Sequence, residues 1–323
     1  MENLTNRMDL SGFSEKVEAL KKEIASVIVG QEQGVDLVLT ALLANGHVLI
    51  EGVPGVAKTL LAKLTAKLIE ADYSRIQFTP DLMPSDVLGT SVFNLKTNDF
   101  EFHKGPVFAE IVLIDEINRA PAKTQAALFE VMEERQITID GFSRKMNEPY
   151  MVIATQNPVE QEGTYRLPEA QLDRFLIKII INYPSPEEEF TILKRHNENH
   201  TLTLLNDVKP ILSKKEILNF KQLVSRVIVE DSLLKYISDI ILATRNSPAI
   251  FLGASPRASV ALLNATKAYA LLQGRDFIIP DDIKYIAVPV LQHRLLLSPE
   301  TEMEGHSAGT VVKRLIEKIE VPK

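Results

Sequence analysis

Residues Glu51–Thr59 read EGVPGVAKT, a near match to the loop that cradles nucleotide phosphates: Gly, four residues, then Gly-Lys-Ser/Thr. Gly52, Lys58 and Thr59 are in place, and Ala57 holds the position of the second glycine. Such a loop converges backbone N–H groups on phosphate oxygens at a helix N-terminus, where the dipole also favours negative charge. It must therefore follow a strand and open a helix. Val48–Ile50 supplies the strand, and Leu60, Leu61, Leu64 and Leu68 recur at helical spacing afterwards. Alanine is tolerable because the loop uses its N–H; a left-handed backbone there would cost roughly 1–2 kcal/mol. On this reading Lys58 neutralises the β- and γ-phosphates and the Thr59 hydroxyl ligates Mg²⁺.

Three more apolar runs lie downstream: EIVLIDE (110–116), PYMVIATQ (149–156) and RFLIKIIINYP (174–184). Apolar runs alternating with helical patterns predict buried parallel strands in an α/β sheet. Two stretches break the alternation. SVFNLKTNDFEFHKG (91–105) has a polar turn between two short β-like runs, and QITIDGFSRKM (136–146) carries Asp140-Gly141, a hairpin signal. After NYPSPEEE (182–189) the pattern turns helical, with Ser255-Pro256 and Pro280-Asp281 reading as helix starts. The chain thus divides near 185, into an α/β nucleotide-binding domain (1–184) and an all-helical domain (185–323).

The run IVLIDE delivers two acids to a strand end. Asp115 can hold Mg²⁺ through water, and Glu116 can polarise an attacking water. Alone, this is a solvated strand end; on a second strand of the sheet that carries Lys58, it points to nucleoside-triphosphate hydrolysis. Gln156 and Asn157 end the next run, where an amide can orient the lytic water, although Asn-Pro is also a common turn. Arg174 precedes the last run and suits an arginine finger that neutralises charge on a γ-phosphate. Its plainer role is a surface ion pair with Asp173. Arg257, in GASPRA (253–258), falls in a helix's first turn, where a cation is unfavourable without an anionic partner such as phosphate.

Composition narrows the choice. With 323 residues, 45% hydrophobic and 24% charged, the chain is an ordinary globular protein of about two domains. It has no cysteine, which excludes disulfides and thiolate metal sites and fits a cytoplasmic setting. No apolar run of roughly 18 residues suggests a membrane span, and the N-terminal residues lack a signal peptide's basic-then-apolar order. The formal charge of −7 disfavours nonspecific nucleic-acid binding.

The ordered set GVPGVAKT, VLIDEINRAP, ATQNP, YRLPEAQLDRF and GASPRA resembles the MoxR family of AAA+ ATPases. That family, like the related MCM helicases, carries G-x-P-G-x-A-K, so Ala57 looks like a mark of lineage. The resemblance implies an AAA+ core with a five-stranded parallel sheet and a C-terminal helical lid, with the two hairpins as its helix-2 and pre-sensor-1 inserts. It implies that Gly52, Val53, Pro54, Gly55, Val56, Ala57, Lys58 and Thr59 form Walker A, with Leu60 beside the nucleotide. Asp115 and Glu116 would be Walker B, Asn157 sensor 1, Arg174 a finger offered to a neighbouring subunit and Arg257 sensor 2. Val29 and Gly30 would lie near the adenine. Arg166 departs from the family, which often has proline there. The implied cofactors are ATP and Mg²⁺, and the implied assembly is a hexameric ring. The implied work is that of a chaperone on client proteins, often with von Willebrand factor A domains and sometimes during metal-cofactor insertion. A DNA motor of MCM type and a nucleotide-gated switch with little hydrolysis are the alternatives.

Overall fold

The computed structural model describes residues 8–53, 58–157, 167–198 and 207–322. The four apolar runs become β1 (Val48–Gly52), β5 (Ile111–Asp115), β8 (Met151–Gln156) and β9 (Ile177–Ile181). With β2 (Tyr73–Gln77) they make one five-stranded sheet, all parallel, in the order β2-β5-β8-β1-β9. Successive side chains on a strand face opposite ways, and here the two sets serve two cores. Val48, Ile50, Ile111, Leu113, Met151 and Ile153 join one; Leu49, Val112, Ile114, Val152 and Ala154 join the other.

The first core is filled by α1 (Ser11–Val27), α2 (Glu32–Leu43), α3 (Lys58–Leu68) and much of the later helical region. The second is filled by α4 (Pro84–Leu88), α5 (Ala122–Glu134) and Leu172 of α6 (Glu169–Leu172). Both predicted hairpins are present, as β3 (Gly89–Asn94) with β4 (Asp99–Lys104) and β6 (Gln136–Ile139) with β7 (Phe142–Lys145). The first starts two residues earlier than its sequence suggests. At the second, Asp140 (φ 54°) and Gly141 (φ 79°) form the two-residue turn whose positive φ values match strand twist. The hairpins touch, through Ser91 to Asp140 and through the Arg144 guanidinium 4.2 Å from the Phe102 ring centre.

From Pro186 onward come α7 (Pro186–Asn197), α8 (Lys214–Ser225), α9 (Asp231–Asn246), α10 (Pro256–Leu272), α11 (Pro280–Leu291), α12 (Pro299–Met303) and α13 (Ala308–Glu317). One small antiparallel pair, β10 (Ile250–Leu252) with β11 (Leu296–Leu297), lies among them. Ser185, Ser213, Ser255, Ser298 and Ser307 each accept an N–H from the helix they precede, which fixes where those helices begin.

The helical region is docked on the sheet's open edge. β9 has a strand on one side only, and an unpaired edge must be covered. Gln292, His293 and Arg294 follow α11 and run beside it. Gln292 donates to Lys178 O (2.8 Å), His293 Nε2 lies 2.8 Å from Phe175 O, and Arg294 donates to the carbonyls of Leu176 (3.1 Å) and Phe175 (2.7 Å). Arg294 Nε also reaches Asp173 at 2.6 Å, with the arginine side chain 4% exposed. At the opposite end of the sequence, Phe13 of α1 meets Phe220 of α8 edge-on at 4.6 Å. One core therefore runs from Leu10 to Ile316.

Candidate active site

β1 ends at Gly52 and α3 begins at Lys58, so strand, loop and helix follow in the order a phosphate loop needs. Pro54, Gly55, Val56 and Ala57 lie outside the described residues, as does Arg166. Val53 lies just past the strand, while Thr59 and Leu60 open α3. The Lys58 ammonium folds back over the strand end and donates to Gly52 O at 2.7 Å. Beside it, Glu51 on β1 pairs with Lys178 on β9 at 2.7 Å.

The acids stand at the same sheet edge. Parallel register aligns Gln77 with Asp115 and Glu51 with Gln156, so the C-terminal ends of β2, β5, β8 and β1 lie side by side. Asp115 is buried, and its two oxygens have separate partners. Oδ1 accepts from the Thr155 hydroxyl (3.1 Å) and Oδ2 from Arg75 Nε (2.6 Å). Glu116 sits in left-handed backbone (φ 58°, ψ 51°), a conformation that costs a side-chain-bearing residue of order 1–3 kcal/mol. The turn swings its carboxylate toward β2, where Gln77 Nε2 donates at 2.8 Å and Arg119 Nε approaches to 3.2 Å. Its N–H donates to the Thr155 hydroxyl at 3.1 Å. Thr155 thus binds both acids at once, giving its proton to one and accepting an N–H from the other. Asn157, two residues later, is buried just past the end of β8.

Sequence reasoning named neither Thr155 nor Arg75 nor Gln77. The usable signal for Thr155 was its place as a hydroxyl closing a fully buried strand, since a buried polar group must find partners. Arg75 and Gln77 belong to β2, an edge strand whose residues YSRIQ give no apolar run.

A cleft of about 790 Å³ opens between the N-terminus of α2, the end of β9 and the helices α11 and α13. Gly30, Ile180, Tyr183, Lys284, Tyr285 and Lys313 line it, together with Lys178, whose partner Glu51 lies near the end of β1. Val29 precedes this Gly30. At φ 72° Gly30 is in backbone that a side-chain-bearing residue adopts only with strain, and a Cβ there would also have to displace the Glu188 carboxylate. The cleft's size is that of an ordinary ligand site.

Mg²⁺ takes few protein oxygens and fills the rest of its octahedron with water and phosphate. The donor set suits that habit: Asp115 offers one buried carboxylate at the strand end and Thr59 one hydroxyl where α3 opens, so few protein oxygens are on offer. No cluster of three or more His, Asp or Glu suited to a dedicated metal cage occurs among the described residues.

Arg174 and Arg257 lie elsewhere. Arg174 precedes β9, at the N-terminal edge of the sheet, and α5 runs back to that edge from the acids. Strands of five residues put the two edges about 15 Å apart. There Arg174 Nη1 donates to Phe129 O and to Glu133 Oε2, both at 2.9 Å, and Arg257 Nη2 pairs with Glu133 Oε1. Asp173, the partner that sequence offers Arg174, is engaged by Arg294 instead. Arg257 was grouped by sequence with the phosphate-binding residues; within one chain it keeps company with Arg174.

Residues 47–177 match the family described as ATPase family associated with various cellular activities, and residues 242–315 match the AAA lid domain. Chaperone MoxR1 of Mycobacterium tuberculosis is 42% identical over 97% of this chain and 85% of its own length. The chain belongs to the MoxR family of AAA+ ATPases. Another relative, the uncharacterized Bacillus subtilis protein YeaC, is 48% identical over 93% of both chains. The crystal structure of a candidate ATPase from Cytophaga hutchinsonii superposes with a TM-score of 0.84 at 40% identity, covering 97% of this chain and 99% of that one. The MoxR membership makes this an AAA+ ATPase with a nucleotide-binding core and a lid, as the motifs predict. No helix among the described residues is long and apolar enough to cross a membrane.

Proposed function

We propose that this MoxR-family protein is a Mg²⁺-dependent ATPase that works as a hexameric ring in the cytoplasm and spends turnover on remodelling or activating a client protein. A client with a von Willebrand factor A domain, or one receiving a metal cofactor, fits what the family resemblance implies. The observation that carries the hydrolytic part is the Thr155 bridge, which ties Asp115 and the Glu116 backbone together at the sheet edge where Lys58 opens α3. In this reading residues 1–184 form the nucleotide-binding domain and 185–323 the lid, with the base beside Val29 and Gly30 in the cleft.

The roles divide by chemistry. Lys58 and the N–H groups of the loop neutralise phosphate oxygens. When bound, Mg²⁺ supplies positive charge against the β- and γ-oxygens, held from Thr59 and Asp115. Glu116 accepts a proton from the attacking water, and Asn157 orients that water. Arg174 and Arg257, at the opposite sheet edge from Lys58, act together on the γ-phosphate of the next subunit.

Mixing tests the last point. Arg174→Ala should bind ATP yet turn over slowly, by ~10³-fold if it behaves as other arginine fingers do. Lys58→Ala should be inactive for want of nucleotide. Mixed rings place an intact loop against an intact arginine, so activity should return; shown mixed rings that stay dead would defeat the proposal. Single-stranded DNA should not stimulate turnover, whereas stimulation of about tenfold would favour the DNA-motor alternative.

A further inference from the structure

We infer that Glu133 is a positioning residue for hydrolysis in the neighbouring subunit, holding Arg174 and Arg257 as one unit aimed across the interface. The inference rests on the proposal that these arginines act in trans, and adds the group that makes them a pair. One carboxylate accepts from both: Oε2 from Arg174 and Oε1 from Arg257. Two guanidinium groups this close repel each other, and the shared carboxylate between them offsets that repulsion.

The two arginines depend on Glu133 unequally. Arg174 has a second anchor in Phe129 O and is mostly buried. Arg257 is 66% exposed at the start of α10, and Glu133 is its hydrogen-bond partner among the described residues. Without Glu133, Arg257 would be free to sample its rotamers in water. With it, α10 of the lid and α5 of the core present their cations together.

Donors remain for a phosphate. A guanidinium has five N–H groups in a fixed fork. Among the described residues, Arg174 spends only Nη1 and Arg257 only Nη2. The cluster keeps a net positive charge, two cations against one carboxylate. It is therefore suited to an incoming anion, not closed off as a finished salt bridge.

The test is Glu133→Gln, which keeps the shape and removes the charge. An amide can accept from one arginine, while its NH₂ faces the other. The variant should form rings and bind ATP with KM within about twofold of the unmodified protein, because the loop and cleft lie at the other edge. Its kcat should fall by ~10- to 100-fold, the scale of a catalytic group displaced by about 1 Å. Mixing it with Lys58→Ala should restore activity, since that partner supplies an intact Glu133 cluster to an intact loop. Arg174→Ala mixed with Lys58→Ala is the control. Turnover close to that of the unmodified protein, or loss of ring assembly, overturns the inference. So does a slow Glu133→Gln that Lys58→Ala fails to rescue while the control is rescued. If the control also fails, the trans reading itself falls, and the inference with it.

Discussion

Thr155→Val removes one oxygen and keeps the side chain's shape, so it isolates the bridge between the two acids. Thr155 is buried, and water cannot readily take its place. Asp115 Oδ1 loses its donor and the Glu116 N–H loses its acceptor. A buried polar group left without a partner costs about 1–3 kcal/mol. Asp115 keeps its Arg75 bond, so the lower part of the sum applies, roughly 2–4 kcal/mol. A chain of 323 residues has an unfolding entropy of about 0.7 kcal/mol/K, and the melting temperature should drop by about 3–6 °C. Glu116 stays in left-handed backbone partly through that N–H, so its carboxylate should wander and turnover should fall by ~10²-fold. Thr155→Ser restores the hydroxyl and should recover most of both losses. Calorimetry and phosphate release measure the two effects side by side. A Thr155→Val protein within about 1 °C and about twofold of the parent would refute the claim that this hydroxyl organises the site.

Arg294→Met should destabilise the joint between lid and sheet edge by about 3–5 kcal/mol, read as a shift in denaturant midpoint, because Asp173 is left as an unpaired, largely buried carboxylate. Removing both partners, with Asp173→Asn added, should recover part of that loss, and no recovery would mean the carbonyl contacts matter more than the ion pair. Stability should also fall on mild acidification. Burial, and then the nearby positive charge of Arg135, push His47 down to about 3, and burial likewise lowers His293. Both stay neutral in the folded chain, whereas unfolded histidines protonate near pH 6.5. Their contribution is complete above that value and shrinks as pH falls below it, down to about 3 for His47, whose share alone is about 2 kcal/mol between pH 7 and pH 5. Flat unfolding free energy across that interval would contradict it.

The interior of the sheet was legible because of where it lies. β1, β5 and β8 have a strand on each side and a core on each face, so every position favours apolar residues and the runs stand out. β2 lies at the edge, where Arg75 and Gln77 are exposed and serve the acids, and its pattern dissolves. The positions of Lys58 and the two acids at strand ends were readable, because Asp115 closes an apolar run and Glu116 and Lys58 follow one by a short length of chain. What sequence could not show was company. Arg257 meets Glu133 across 124 positions and Arg294 meets Asp173 across 121, and no local periodicity encodes either meeting. The same holds for the edge-on meeting of Phe13 of α1 with Phe220 of α8.

Glu116→Gln gives the most direct test of the central claim, that this edge of the sheet hydrolyses ATP with Glu116 as base. The amide keeps the size and the backbone, and it can still lie against Gln77 and Arg119, but it cannot accept the water's proton. Phosphate release and ATP binding should be measured on the same preparation in Mg²⁺, with Lys58→Ala alongside. Glu116→Gln should bind ATP like the unmodified protein and lose turnover by ~10²-fold or more, as expected for removal of a general base. Lys58→Ala should lose binding as well. Near-normal phosphate release from Glu116→Gln would contradict the account.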